Sequence, residues 1–211
     1  MSTVTAKITI SLDGYVAGPN QSLENPLGEG GEQIHTWMFK TEAWWRQQGR
    51  EGGKPGPDSD IVERMFEGVG AVIMGRNMFG GGPGGWDDSW RGWWGDNPPY
   101  HVPVFVLTHH PREPVPMEGG TTFHFVTDGV ESALEQARAA AGDRRVLIMG
   151  GANAIGQFLT AGLVDQLQLH LSPILLGAGE RLFDNVTGVE LELVETIPSN
   201  AVTHLTYRVV R

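Results

Sequence analysis

The stretch from Val146 to Ile155 constrains the fold more than any other part of the chain. A short apolar run, Val146 to Met149, stops at Gly150-Gly151, and a helix-compatible run follows from Ala152 to Leu159. Such a run, too short for a helix and closed by two glycines, predicts a buried strand, a tight turn and then a helix. The turn gathers backbone N–H groups and the positive end of a helix at one point. That geometry suits a phosphate or pyrophosphate. A nucleotide cofactor is therefore the first functional expectation.

The rest of the chain repeats the pattern. Residues 4–12 alternate as a strand with Ile8, Ile10 and Leu12 on one face, and Asp13-Gly14 ends it. A short helix is expected around Gln33 to Lys40, and another over 58–68, capped by Asp58 or Ser59 and stopped by Gly68. Strands follow at Ala71 to Met74, Pro103 to Thr108 and Thr122 to Val126. A helix over Val130 to Ala141 opens at Asp128 or Gly129 and closes at Gly142. After the helix at 152–161, three strands come without a helix between them: Gln166 to Leu171, Leu191 to Glu195 and His204 to Val210. This order predicts an α/β domain, 1–211, with a mostly parallel central sheet, helices on both faces and an antiparallel C-terminal edge. Ligands in such sheets sit at the carboxyl ends of strands. Four ends are then of interest together: Asp13, Gly75-Arg76-Asn77, Thr108-His109 and Gly150-Gly151.

Composition narrows the partners. A formal net charge of −10 argues against nucleic acid or an anionic membrane surface. With no cysteine, thiolate nucleophiles and disulfides are excluded. No apolar run reaches membrane-spanning length and no leader is evident, which reads as a cytoplasmic protein. No metal is expected, because the adjacent His109 and His110 point to opposite sides of an extended chain. The 30 glycines crowd into 14–31, 49–57 and 80–98, so long loops are expected at about 18–57 and 80–101.

Four segments carry a resemblance in order: Ser11 to Ala17 (SLDGYVA), Val72 to Met78 (VIMGRNM), Ile148 to Ala152 (IMGGA) and Leu175 to Phe183 (LLGAGERLF). Together they resemble the dihydrofolate reductase-like proteins related to the reductase domain of riboflavin biosynthesis, from about residue 4 to 210. The resemblance implies a three-layer fold, an NADPH-dependent reductase, a small-molecule substrate and a homodimer. It implies that Gly75, Arg76 and Asn77 open a helix beneath the cofactor phosphates, where Arg76 would meet the 2′-phosphate or the pyrophosphate. Thr108 and His109 match the adenosine side, and Gly150, Gly151, Ala152, Asn153, Ala154 and Ile155 match the turn over the pyrophosphate. Ser11 and Asp13 match the strand end near the nicotinamide and substrate. The carboxylate that dihydrofolate reductases aim at a pterin has no counterpart among Glu24, Glu29, Glu32 and Glu42.

Asp13 is the catalytic candidate, able to hold a substrate N–H or relay a proton, although Asp before Gly is also ordinary turn chemistry. Trp37 and Phe39, in the loop after the first strand, are the candidates for stacking on a planar substrate. Trp86, Trp90, Trp93 and Trp94 would cover an edge of the core or fill an interface. The Leu171 to Phe183 region reads as an arm that serves both interface and substrate wall. Two functions remain: a reductase of a planar heterocyclic (pterin- or pyrimidine-like) or carbonyl substrate, and a non-catalytic nucleotide-binding protein on the same fold.

Overall fold

The computed structural model describes residues 2–210. In chain order its elements are β1 (Val4–Ser11), β2 (Tyr15–Ala17), α1 (Thr36–Phe39), α2 (Glu42–Gln47), α3 (Pro57–Glu63), β3 (Val69–Gly75), α4 (Arg76–Phe79), β4 (Pro103–Leu107), β5 (Val115–Pro116) and β6 (Thr122–Val126). Then come α5 (Val130–Ala141), β7 (Arg145–Ile148), α6 (Ala152–Thr160), β8 (Gln166–Ser172), β9 (Glu180–Arg181), β10 (Glu190–Pro198) and β11 (Thr203–Val210). Nine strands form one sheet in the order β10-β11-β8-β1-β7-β3-β4-β6-β5, and β2 pairs with β9 in a separate ribbon.

The middle of the sheet, from β8 to β6, is parallel throughout, and β10 and β11 add an antiparallel edge. The opposite edge is antiparallel as well, through the two-residue β5. Sequence periodicity missed that strand because two residues carry no period, and Pro116 lacks the N–H that would continue it. Helix α3 is shorter than expected and differently capped. Pro57 occupies its first turn after Gly56, with no side-chain cap. Tertiary partners take the two residues expected to cap it: Ser59 Oγ accepts from Ala43 N at 2.9 Å, and Asp58 accepts from His204.

Alternation in β1 separates the two faces of the sheet. Val4, Ala6 and Ile10 are buried with Ile148, Ile155, Phe158, Leu134 and Ala137 in the core beneath α5 and α6, and Ile8 packs against it. Leu12 lies past the end of the strand and is 59% exposed, so it does not share that face. The opposite face has two halves. Leu147, Val72, Met74, Val104, Val106 and Phe123 form an apolar half with Phe79 and Tyr100, covered by Trp86, Trp90 and Trp94 from the 80–102 loop. These tryptophans therefore roof a core.

The other half is polar although buried: Thr5, Lys7, Thr9 and Ser11 on β1, His170 on β8 and His204 on β11. Register sets Thr9 beside His170 and His170 beside His204. Asp58 accepts a hydrogen bond from His204 Nε2 at 3.0 Å, so His204 Nδ1 is the acceptor for His170 Nδ1–H at 2.7 Å. The α1 to α3 segment covers this half, and the Trp37 ring lies 5.0 Å from both imidazoles.

Burial makes these imidazoles hard to protonate. It pushes His35 down to about 4 and His170 well below its ordinary value; it also lowers His204 despite the opposing pull of Asp58. All three folded-state values lie below the unfolded value of about 6.5. The unfolded chain therefore binds more protons in acid, and stability is lost as pH falls below about 6.5 toward the folded values. The unfolding free energy from urea titrations between pH 7.5 and 4.5 should fall by at most about 1.4 kcal/mol per pH unit for each such imidazole. A flat profile across that window would contradict buried neutral histidines.

Candidate functional site

A cleft of about 780 Å³ opens at the carboxyl ends of β3, β4, β6 and β7. Its walls combine Gly75, Arg76 and Asn77; Leu107, Thr108, His109 and His110; Val126, Thr127 and Gly129; and Gly151, Asn153, Ala154 and Gln157. Two loops face it from outside, Gln21 to Glu24 with Pro26, and Gly82 to Gly84. The loops meet where Leu23 Cδ1 lies 3.9 Å from the position of a Cβ on Gly82. Only residues 21–26 of the long first loop reach the cleft; its α1 to α3 portion packs on the polar half of the sheet.

Three helices begin in the wall, the short α4 after Gly75 and the longer α5 and α6. Gly151 is the N-cap of α6 and Gly129 that of α5, and neither has a side-chain cap. First-turn N–H groups without a side-chain acceptor are available to an anion. Gly150 has φ +117°, where residues with a Cβ are strained, and its carbonyl accepts from Gly75 N at 2.7 Å. That bond ties the β7–α6 turn to the β3–α4 turn. Gly151 leaves an opening: a Cβ there would come 3.7 Å from Glu180 Oε2.

Arg76 stands at the centre of the opposite wall. Its guanidinium carbon lies 3.3 Å from the Trp86 ring centroid. Nη2 donates to the carbonyls of Gly82 (2.9 Å) and Gly84 (3.3 Å), Nε to Gly80 (3.3 Å), and Nη1 to Thr108 Oγ1 (3.4 Å). Four of its five N–H donors are thus engaged with the loop and the strand end. Arg76 both fastens the 80–84 loop and keeps a positive charge in the cleft.

Among the residues selected from sequence, Gly75, Arg76, Asn77, Thr108, His109, Gly151, Asn153 and Ala154 come together around this cleft. Gly150 sits behind the wall, and Ala152 and Ile155 point into the core. Four others lie elsewhere. Trp37 is 2% exposed against His170 and His204, so its ring presents no face to a ligand. Phe39 packs on Trp44 and His35. Ser11 is fully buried, donating to Asp13 Oδ1 at 2.6 Å and accepting from Tyr15 N at 2.8 Å. Asp13 accepts further bonds from Leu176 N (3.1 Å) and Gly177 N (2.7 Å). The Ser11 hydroxyl, and then the two backbone N–H groups, pull its carboxyl down to about 2. At neutral pH it is an acceptor, tied to the backbone of Leu176 and Gly177 and not among the residues that line the cleft.

Three parts of the site escaped the sequence reading. Thr127 to Gly129 repeats the strand-glycine-helix pattern of 146–155 and could have been found by that signal. Trp93 lines the cleft from the Trp-rich loop. Glu180 enters it from β9, where burial raises its carboxyl above the ordinary range. A separate cavity of about 60 Å³ is lined by Lys7, Gln168, His170, His204, Glu195 and Thr206. Burial, then Arg145, push the Lys7 amine down to about 8, and His170 Nε2 has no hydrogen-bond partner among the described residues.

The RibD C-terminal domain family model matches residues 2–205. A Shewanella sp. PV-4 protein named for riboflavin biosynthesis is 24% identical with a TM-score of 0.61, each chain covered in full. The Thermotoga maritima diaminohydroxyphosphoribosylaminopyrimidine deaminase/5-amino-6-(5-phosphoribosylamino)uracil reductase is 14% identical, TM-score 0.56, over 99% of this chain and 57% of its own. Enterococcus faecalis dihydrofolate reductase, solved with NADP(H), is 16% identical, TM-score 0.57, over 98% of this chain and 96% of its own. The uncharacterized protein YyaP of Bacillus subtilis (strain 168) is 32% identical over 73 residues, 34% of this chain and 38% of that relative's length. The fold is that of the reductases.

Proposed function

The chain belongs to the RibD C-terminal domain family, and on that footing we propose that it is an NADPH-dependent reductase of a small planar heterocyclic (pterin- or pyrimidine-like) or carbonyl substrate. The observation that carries this reading is the cleft itself. Chain segments more than 70 residues apart, at Arg76 and Asn153, converge there with two helix starts that no side chain caps.

The residues present fit the cofactor. Gly151 leaves open the space that a side chain would fill, and the first-turn N–H groups of α6 would receive the pyrophosphate. Arg76 would meet the 2′-phosphate with its remaining donor and its charge. Thr108 and His109 would border the adenosine. NADPH, when bound, supplies the hydride. The loops at 21–26 and 82–84 flank the cleft and would shield a bound nicotinamide from water. Glu180 lines the cleft with its carboxyl raised above the ordinary value by burial, and is the proton source we assign.

The same reading covers one cytoplasmic domain acting as a homodimer, whose exposed Leu12 and Leu175 would be shielded by the second copy. Among the described residues no helix is long and apolar enough to cross a membrane. The test is NADPH binding by quenching of tryptophan fluorescence, then oxidation of the cofactor with pterin, pyrimidine and carbonyl compounds. With a turned-over substrate, Glu180→Gln should lower kcat about 100-fold, within the usual range for a general acid. Failure to bind NADPH would sink the reading. Binding without oxidation across the panel would favour the non-catalytic nucleotide-binding alternative.

A further inference from the structure

The segment that delivers Glu180 to the cleft has little regular structure of its own. Residues 173–179 join β8 to the two-residue β9, and β9 pairs only with β2, Ala17 opposite Glu180 and Tyr15 opposite Arg181. Contacts from the end of β1 fasten this segment. Leu12 N donates to the Ile174 carbonyl (2.9 Å), and Leu182 N to that of Gly14 (3.2 Å). Arg181 Nη1 donates to the Asp13 carbonyl at 3.2 Å. The Asp13 carboxylate gathers Leu176 N and Gly177 N, and is itself oriented by Ser11 Oγ. At Gly179, with φ +130°, a Cβ would lie 2.0 Å from the Ala17 carbonyl oxygen, so the two segments are pressed together without a side chain between them.

We infer that Asp13 is a positioning residue, whose carboxylate fixes the 174–179 loop to the end of β1 and so places Glu180 against Gly151 in the cleft. This rests on the role assigned to Glu180 above. A carboxylate is required, not merely a polar side chain. Three donors converge on two oxygens, whereas an asparagine offers one oxygen and turns an N–H toward a backbone N–H. The bonds to Leu176 and Gly177 cost no proton-transfer capacity, because Asp13 stays ionised at neutral pH. SLDGYVA and LLGAGERLF are thus two halves of one fitting, some 160 residues apart.

Protein labelled with ¹³C at glutamate carboxyls tests this without any substrate. The Glu180 signal is identified by its disappearance in Glu180→Gln. In the unchanged protein it should titrate above the ordinary value of about 4.3. In Asp13→Asn the loop loosens, Glu180 gains water, and its midpoint should fall toward that value. Exchange of the Leu176 and Gly177 amides should quicken at least about tenfold, as lost protection requires. Ser11→Ala, which removes the hydroxyl that orients Asp13 and accepts from Tyr15 N, should move both readouts the same way by less, and serves if Asp13→Asn does not fold. An unmoved Glu180 midpoint in a folded Asp13→Asn protein would overturn the inference while leaving the role of Glu180 intact. An ordinary midpoint in the unchanged protein would overturn both. A midpoint that moves in a protein unable to bind NADPH would uphold the positioning and sink the reductase reading.

Discussion

Arg76→Ala is expected to weaken NADPH binding by roughly 10- to 100-fold, the equivalent of one charged hydrogen-bonding interaction of about 1.5–3 kcal/mol. NADH, which lacks the 2′-phosphate, should weaken by no more than a few-fold. The comparison matters because Arg76 has two jobs in the structure. It stacks on Trp86 and holds the carbonyls of Gly80, Gly82 and Gly84, and it also brings positive charge to the cleft wall. Loss of the loop clamp would affect both cofactors alike, so only the difference between them reports the phosphate. Titrations followed by tryptophan fluorescence are suitable, since Trp93 lines the cleft. Equal weakening of both cofactors would assign Arg76 to the loop alone. Arg76→Lys should recover part of the charge but not the fork of donors or the flat stack.

Phe123→Ala should be among the most damaging single truncations for stability, at about 3–5 kcal/mol. Phe123 is fully buried on β6, its ring 4.9 Å from Phe79, 5.9 Å from Trp94 and 6.2 Å from Tyr100. It is the strand-borne anchor onto which the Trp-rich loop is laid. At about 2–4 °C per kcal/mol for a domain of this length, Tm should drop by roughly 6–20 °C. The tryptophan emission of the native protein should shift to the red as the loop gains water. A loss below about 1 kcal/mol would mean that the 80–102 loop lies loosely on the sheet and is no part of its core.

The cleft was legible where local chemistry and function ask for the same residues. A strand ending in glycine before a helix is visible in the sequence, and Gly75-Arg76 and Gly150-Gly151 carry that signature. Thr127 to Gly129 carried it too, but the second reading of those residues, as a simple helix start, concealed it. Trp37 was misread for a different reason. An aromatic residue in a glycine-rich loop looks free to stack on a ligand, and nothing nearby in sequence reveals that His170 and His204 occupy its faces. The polar half of the sheet was equally hidden. Alternation locates the inward face of β1, but Lys7 and Thr9 read as solvent-facing until a further layer of helices is laid over them.

The sequence by itself determined the alternation of the longer strands and helices, the parallel centre of the sheet and the glycine turns at its carboxyl edge. Those follow from periodicity, turn chemistry and the need of parallel strands for crossovers. Only the tertiary structure decided which carboxyl enters the cleft. Asp13 stands at the expected strand end, yet its oxygens are taken by the N–H groups of Leu176 and Gly177; Glu180 faces Gly151 instead. The ionisation of each follows from those neighbours. Convergent donors hold Asp13 charged and desolvation favours the proton on Glu180, and neither cause can be read from residues adjacent in the chain.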